Sequence, residues 1–302
     1  MMWVGMALLV VGTCVALAAG LRAWLLRAFR IPDRSWVDDP GRLGCDGGEP
    51  VWVRTRRGRR LHVLRYLSHP GAPVVVMLHG WGANASHLLF MVPRILAEGW
   101  NAVVFDARCH GLSEDDGFAS LPRFAEDAEA VLKDLRREGW REFILLGHSV
   151  GAGAALLAAS RTPGIRAVIS LAAFSHPEPV MDQWLRGRGI PLRPAGWLIK
   201  RAVEGFIGHR FDTIAPRTTI RRIQAPVLLV HGLGDTVVPP WHARVLARAR
   251  PGTRLMCLPG VGHNDPPGFA NHVDAILAWL RPHAALGPDP SRPEPSRVTG
   301  TD

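Results

Sequence analysis

Apolar residues along this chain gather into short, nearly unbroken runs separated by stretches of helical periodicity. Such runs occupy residues 74–78, 102–105, 143–146, 167–171, 227–230 and 255–258. Without alternation of polar and apolar positions, they suit strands buried on both faces of a parallel sheet. Between them, helices are expected near residues 86–98, 121–138, 149–160, 240–250 and 267–280. In the second of these, Phe124, Ala128, Val131, Leu132 and Leu135 recur at the i, i+3, i+4 spacing of an amphipathic helix. The β-α alternation predicts an α/β fold built on a doubly wound, mostly parallel sheet.

Two stretches depart from that rhythm. Residues 51–67 read as a hairpin, with a turn at Arg57-Gly58 and with Arg54, Arg56, Arg57, Arg59, Arg60 and Arg65 decorating it. Those arginines suit a solvated surface or contact with lipid head groups. Residues 175–224 separate two strands and are interrupted by Pro177, Pro179, Pro191 and Pro194. Trp184, Leu185, Trp197, Leu198, Val203 and Phe206 give this stretch apolar helical faces, so it is expected to be a small helical lid. The alternative is an insertion with no substrate role.

The ends divide the chain further. Residues 1–21 carry no charge, and a helix of that length would measure about 31 Å, close to a hydrocarbon core of about 30 Å. Arg22, Arg27 and Arg30 follow, with Trp24 and Phe29 placed for an interface. A cleavable signal peptide could end at Ala16-Leu17-Ala18, but the positive n-region it needs is missing. Residues 1–30 are therefore expected to be a single-pass transmembrane anchor, with the rest of the chain on the cytoplasmic side. Residues 31–50, rich in Pro and Gly, read as a linker, 51–282 as the folded domain, and 283–302 as a disordered tail.

Composition narrows the picture only a little. A length of 302 residues with 47% apolar content suits one large α/β domain plus appendages. Cys14, Cys45, Cys109 and Cys257 form no C-x-x-C pair, so free thiols are expected. The formal charge of +10 is almost all arginine, with lysine only at positions 133 and 200. It fits compositional drift or attraction to anionic lipid, and no nucleic-acid-binding motif accompanies it.

The chemistry concentrates at three strand ends. The run 143–146 leads into Gly147-His148-Ser149-Val150-Gly151 and then into small residues suited to a helix. Set between strand and helix, G-x-S-x-G marks a sharp turn that holds the serine hydroxyl above the sheet. Such a hydroxyl needs a base, on a later loop at the same sheet edge. Gly262-His263-Asn264-Asp265 follows the last apolar run and singles out His263 from thirteen histidines. His79, His110, His148, His231 and His242 read as loop hydrogen-bonding residues. The acid that would fix the imidazole tautomer is Asp235, in Gly232-Leu233-Gly234-Asp235 after another strand. Asp106 and Asp265 are rivals, Asp106 reading more simply as a loop brace paired with Arg108. An oxyanion would be held by the Val150 N–H and by the Trp81 N–H in His79-Gly80-Trp81-Gly82; Trp81 could instead merely pack between loops. No residue spacing suggests a metal site, and Gly147 to Gly153 lacks the lysine of a phosphate loop, so no cofactor is expected.

Over about residues 70–282 these motifs, together with Asp106-Ala107-Arg108-Cys109-His110-Gly111-Leu112-Ser113, resemble the α/β-hydrolase superfamily. The similarity is to bacterial serine aminopeptidase-like and lysophospholipase-like hydrolases, and the Gly262-His263-Asn264-Asp265 ending resembles a Bem46-like membrane-anchored subgroup. The resemblance implies a lid between the sixth and seventh strands. Cys109 departs from the commoner pattern of the family. The serine nucleophile argues against the chemistry that relatives perform with aspartate. The expectation is a serine esterase of lipase-like type acting on a small-molecule or lipid-like acyl ester. Amide or thioester hydrolysis and acyl transfer would use the same parts, and a membrane-tethered binding module without activity is a further alternative.

Overall fold

The computed structural model describes residues 2–31 and 44–284; the side chains of several positions in the first helix also lie outside the description. The linker is therefore seen only at its ends, and the tail beyond Ala284 lies outside the described residues. Helix α1 covers Met2–Ala28. The strands are β1 Glu49–Arg54, β2 Arg60–Tyr66, β3 Val74–Leu78, β4 Asn101–Phe105, β5 Phe143–His148, β6 Ile165–Leu171, β7 Val227–Gly232 and β8 Arg254–Leu258. The further helices are α2 Val92–Ala97, α3 Leu121–Arg137, α4 Val150–Ala159, α5 Pro177–Arg186, α6 Trp197–Ile207, α7 Phe211–Ile214, α8 Pro216–Thr219, α9 Trp241–Ala249, α10 Pro266–Ala270 and α11 Val273–Ala284.

Among the described residues the strands form one eight-stranded sheet in the order β1-β2-β4-β3-β5-β6-β7-β8. The β1–β2 and β2–β4 pairs are antiparallel and the others parallel. This is the doubly wound sheet that the apolar runs predict. Because side chains alternate across a strand, β3 sends Val74, Val76 and Leu78 into one core layer and Val75 and Met77 into the other. The first layer is closed by Phe124, Val131, Leu132 and Leu135 of α3 and by the alanines of α4. The second is closed by Ile95 of α2 and by Ile276, Leu277 and Leu280 of α11. Both faces of the central strands are thus dry, which explains why they lack polar positions.

Two expected helices are broken. The stretch 86–98 folds as a 3-10 turn, Ala85–Met91, followed by α2. A continuous α-helix would need an N–H from Pro93, which has none. The stretch 267–280 divides into α10, capped by the Asp265 carboxylate accepting from Gly268 N–H, and α11. Helices α5 to α8 lie between β6 and β7.

The N-terminal expectation needs correction. The backbone is helical over Met2–Ala28, but among the described residues no helix is long and apolar enough to cross a membrane. The last turns of α1 are docked on the domain and do not stand free at an interface. Leu25 is only 3% exposed, Trp24 packs edge-on against Trp184, and Phe29 meets Trp81 and Phe206. Three of the six hairpin arginines are likewise turned to the domain's own acids. Arg59 pairs with Asp116, Arg60 with Glu114, and the buried Arg65 with Asp134 and Glu138.

Arg108 does not pair with Asp106. Its guanidinium is buried and clasps Asp127 of α3 through Nε at 2.8 Å and Nη2 at 2.6 Å, with Asp116 and Glu126 beside it. Removing one member of a buried ion pair strands the other charge. Asp127→Ala is therefore expected to lower unfolding free energy by about 3 kcal/mol, measured as a shifted urea midpoint at unchanged slope.

Candidate active site

The turn after β5 places Ser149 in a backbone conformation of φ 54° and ψ −118°, between β5 and the first residue of α4. The flanking glycines are demanded by backbone on either side. A Cβ at Gly147 would strike the carbonyl of Gly151, and one at Gly151 would strike the carbonyls of His79 and Leu78. The second contact shows that Gly151 is needed to let the loop after β3 lie against the serine turn. Gly80 approaches less tightly: a Cβ there would sit 3.0 Å from His148 Nδ1 and 3.5 Å from Ser149 Cβ.

Three sequence-predicted residues meet above this edge of the sheet. The Ser149 hydroxyl lies 3.0 Å from His263 Nε2, and His263 Nδ1 lies 2.6 Å from Asp235 Oδ2. Donor assignment follows from the partners. A carboxylate at Nδ1 keeps the proton there, which leaves Nε2 free to accept from the serine. Asp235 is buried and is held by the Val237 and Val238 N–H groups, at 3.0 and 2.7 Å. Burial alone would raise its pKa. Hydrogen bonds from His231 and His263 and from the Val238 N–H outweigh that and hold the carboxyl well below the usual range.

The rival acids are occupied elsewhere. Asp265 accepts from the N–H groups of Gly262 and Gly268. Asp106 accepts from the N–H groups of Ala85 and Leu112, bracing two loops. The loop after β3 closes as a turn in which Gly80 O accepts from Ala83 N–H at 3.2 Å, placing Trp81 at a corner whose N–H takes no part in that bond. Gly82 N–H points instead to His110 Nε2. Val150 opens α4, where backbone N–H groups lack intrahelical acceptors. Val150 adjoins Ser149 in the chain, and Trp81 follows Gly80, where an added Cβ would lie 3.5 Å from Ser149 Cβ.

A protein-family model described as serine aminopeptidase, S33, matches residues 69–207. The alpha/beta hydrolase domain-containing protein WAV2 of Arabidopsis thaliana is 26% identical over 250 residues, covering 78% of this chain and 78% of that protein. The bifunctional esterase/perhydrolase DCH of Acinetobacter calcoaceticus is 25% identical over 258 residues, covering 70% of this chain and 92% of the relative. Among solved structures, the esterase PF2001 of Pyrococcus furiosus superposes with a TM-score of 0.67 at 18% identity, covering 85% of this chain and 99% of that one. Together, the family model, the relatives and the fold neighbours support the α/β-hydrolase superfamily for this chain.

Around this site, several histidines that read as loop residues prove to be structural donors and acceptors. His148 Nε2 donates to the His263 carbonyl at 2.9 Å, tying the serine turn to the histidine loop. His79 bridges Gly80 O and Ala107 N–H, at 2.7 and 2.9 Å. His242 Nδ1 accepts from Ser175 N–H at 3.0 Å. His231 donates to Val238 O at 2.7 Å beside Asp235. The sequence signals that these loops are close, but not which ring reaches which carbonyl.

Burial pushes the pKa values of His79, His148 and His242 down to about 4. In the unfolded hydrolase each would titrate near about 6.5. Above that value both states hold the same neutral rings. As pH falls from about 6.5 toward about 4, the unfolded chain takes up protons that the folded one refuses, so stability is lost across that window. Thermal melts from pH 7.5 to 4.5 are expected to show Tm falling most steeply below about pH 6.5.

Proposed function

We propose that this protein is a serine hydrolase that cleaves a carboxylic ester through an acyl-enzyme on Ser149. The observation that carries the reading is the unbroken chain of contacts from the Ser149 hydroxyl through His263 to Asp235. In this reading His263 Nε2 takes the hydroxyl proton as the oxygen attacks the acyl carbonyl. Asp235 holds the ring in place and stabilises the imidazolium. The Trp81 and Val150 N–H groups receive the carbonyl oxygen as it becomes charged. His263 returns the proton to the leaving alcohol, and a water activated by the same ring releases the acid. The ester preference draws support from relatives and fold neighbours named as esterases.

The test uses the wild-type protein with a fluorophosphonate probe and a panel of p-nitrophenyl esters, thioesters and aminoacyl amides. Labelling at Ser149 together with ester turnover well above amide turnover is expected. A wild-type protein that the probe does not label would reject the reading. Amide turnover exceeding ester turnover would keep the machinery and reassign the substrate.

A further inference from the structure

We infer that the C-terminal turn of α1 is part of the substrate-binding apparatus, with Phe29 the positioning residue that selects for long acyl chains. The inference rests on the ester-hydrolase reading and deepens it. The small pocket directly beside the triad, lined by His79, Gly80, His148, His263 and Phe269, holds about 20 Å³. That is space for about one water, too little to enclose an acyl chain. A concavity of about 670 Å³ lies instead against the end of α1, lined by Leu26, Arg27, Arg30 and Gly117.

A row of aromatic rings runs from beside this concavity to the loop after β3. Phe118, next to Gly117, packs on Phe206 of α6 at 4.2 Å between centroids. Phe206 stacks on Phe29 at 6.5 Å, and Phe29 meets the Trp81 indole edge-on at 5.9 Å. Trp81 follows Gly80, the residue pressed against Ser149 and His148, and its indole is left 41% exposed. Phe29 therefore touches the loop after β3 and the helical segment between β6 and β7 at once. Beyond it, Trp24 packs on Trp184 of α5 and fixes the turn in place. Such a wall offers apolar surface to a chain leaving the acyl carbon, and little of it to an acyl group too short to leave Trp81.

The experiment compares kcat/KM of the full-length wild type, Phe29→Ala and Phe29→Leu on p-nitrophenyl butyrate and p-nitrophenyl decanoate. In Phe29→Ala the decanoate-to-butyrate ratio is expected to fall about tenfold, carried by a rise in KM for decanoate with kcat little altered. Phe29→Leu keeps apolar bulk and is expected to lose about threefold of that ratio; it carries the same test should the alanine variant not fold. A ratio within twofold of wild type in a variant that folds and labels would overturn the inference. So would an equal loss on both esters through kcat, since that is what general loosening of the site produces. Fluorophosphonate labelling separates the two readings: unlabelled wild type rejects the Ser149 chemistry, whereas labelled variants with unchanged chain-length preference reject only the role of Phe29.

Discussion

Ser149→Ala is expected to lower kcat/KM for p-nitrophenyl esters by about 10⁵–10⁶-fold and to abolish fluorophosphonate labelling. The size of the loss follows from the absence of a substitute near His263 among the described hydroxyls. Ser175 also has its hydroxyl at a histidine ring, but that oxygen lies 2.9 Å from His242 Nδ1 and is buried. Hydroxide or water would have to attack unaided, with only the oxyanion donors left to help. Such donors and binding alone sustain about 10³–10⁴ over the uncatalysed rate in comparable sites. The alanine variant should melt at or near the wild-type temperature, because the serine hydroxyl contributes one partly exposed hydrogen bond. Turnover above about 1% of wild type in a variant of verified sequence would sink the assignment of the nucleophile.

Asp235→Asn is expected to cost about 10⁴-fold, almost entirely in kcat. An amide keeps one oxygen for the Val237 and Val238 N–H groups, so the loop should hold its shape. Its NH₂, facing His263 Nδ1, stabilises the tautomer with the proton on Nε2, which then cannot accept from Ser149. Asp265→Asn makes the control. Asp265 is engaged with Gly262 and Gly268, so its amide variant should retain activity within a few-fold. A reversed order of severity would transfer the role of the acid to Asp265.

The sheet and the meeting of Ser149, His263 and Asp235 were legible for the same physical reason. Strands dry on both faces leave a continuous apolar run, and each such run ends where backbone must turn at the sheet's edge. Glycines at 147, 151, 232 and 262 mark those turns, and Ser149, Asp235 and His263 stand in them. Short-range chemistry therefore reported long-range position. What stayed illegible was pairing decided by tertiary packing. By sequence Arg108 reads as a partner of Asp106, two residues away, whereas the fold brings it to Asp127 on α3. His148 gave no sign that it would reach the His263 carbonyl. Phe29 and Trp24 read as interface residues because they follow an uncharged stretch, yet both rings find partners on the domain. An apolar side chain looks the same to a sequence reading whether lipid or protein will cover it.

The backbone at Ser149 is right of zero in φ, where a side chain with a Cβ is strained by about 1–3 kcal/mol. Glycine would relax there. The molecule thus spends a share of its folding free energy, at all times and whether or not substrate is present, on keeping one oxygen aloft. A lineage released from the need for turnover would be free to trade that serine for glycine and shed the strain.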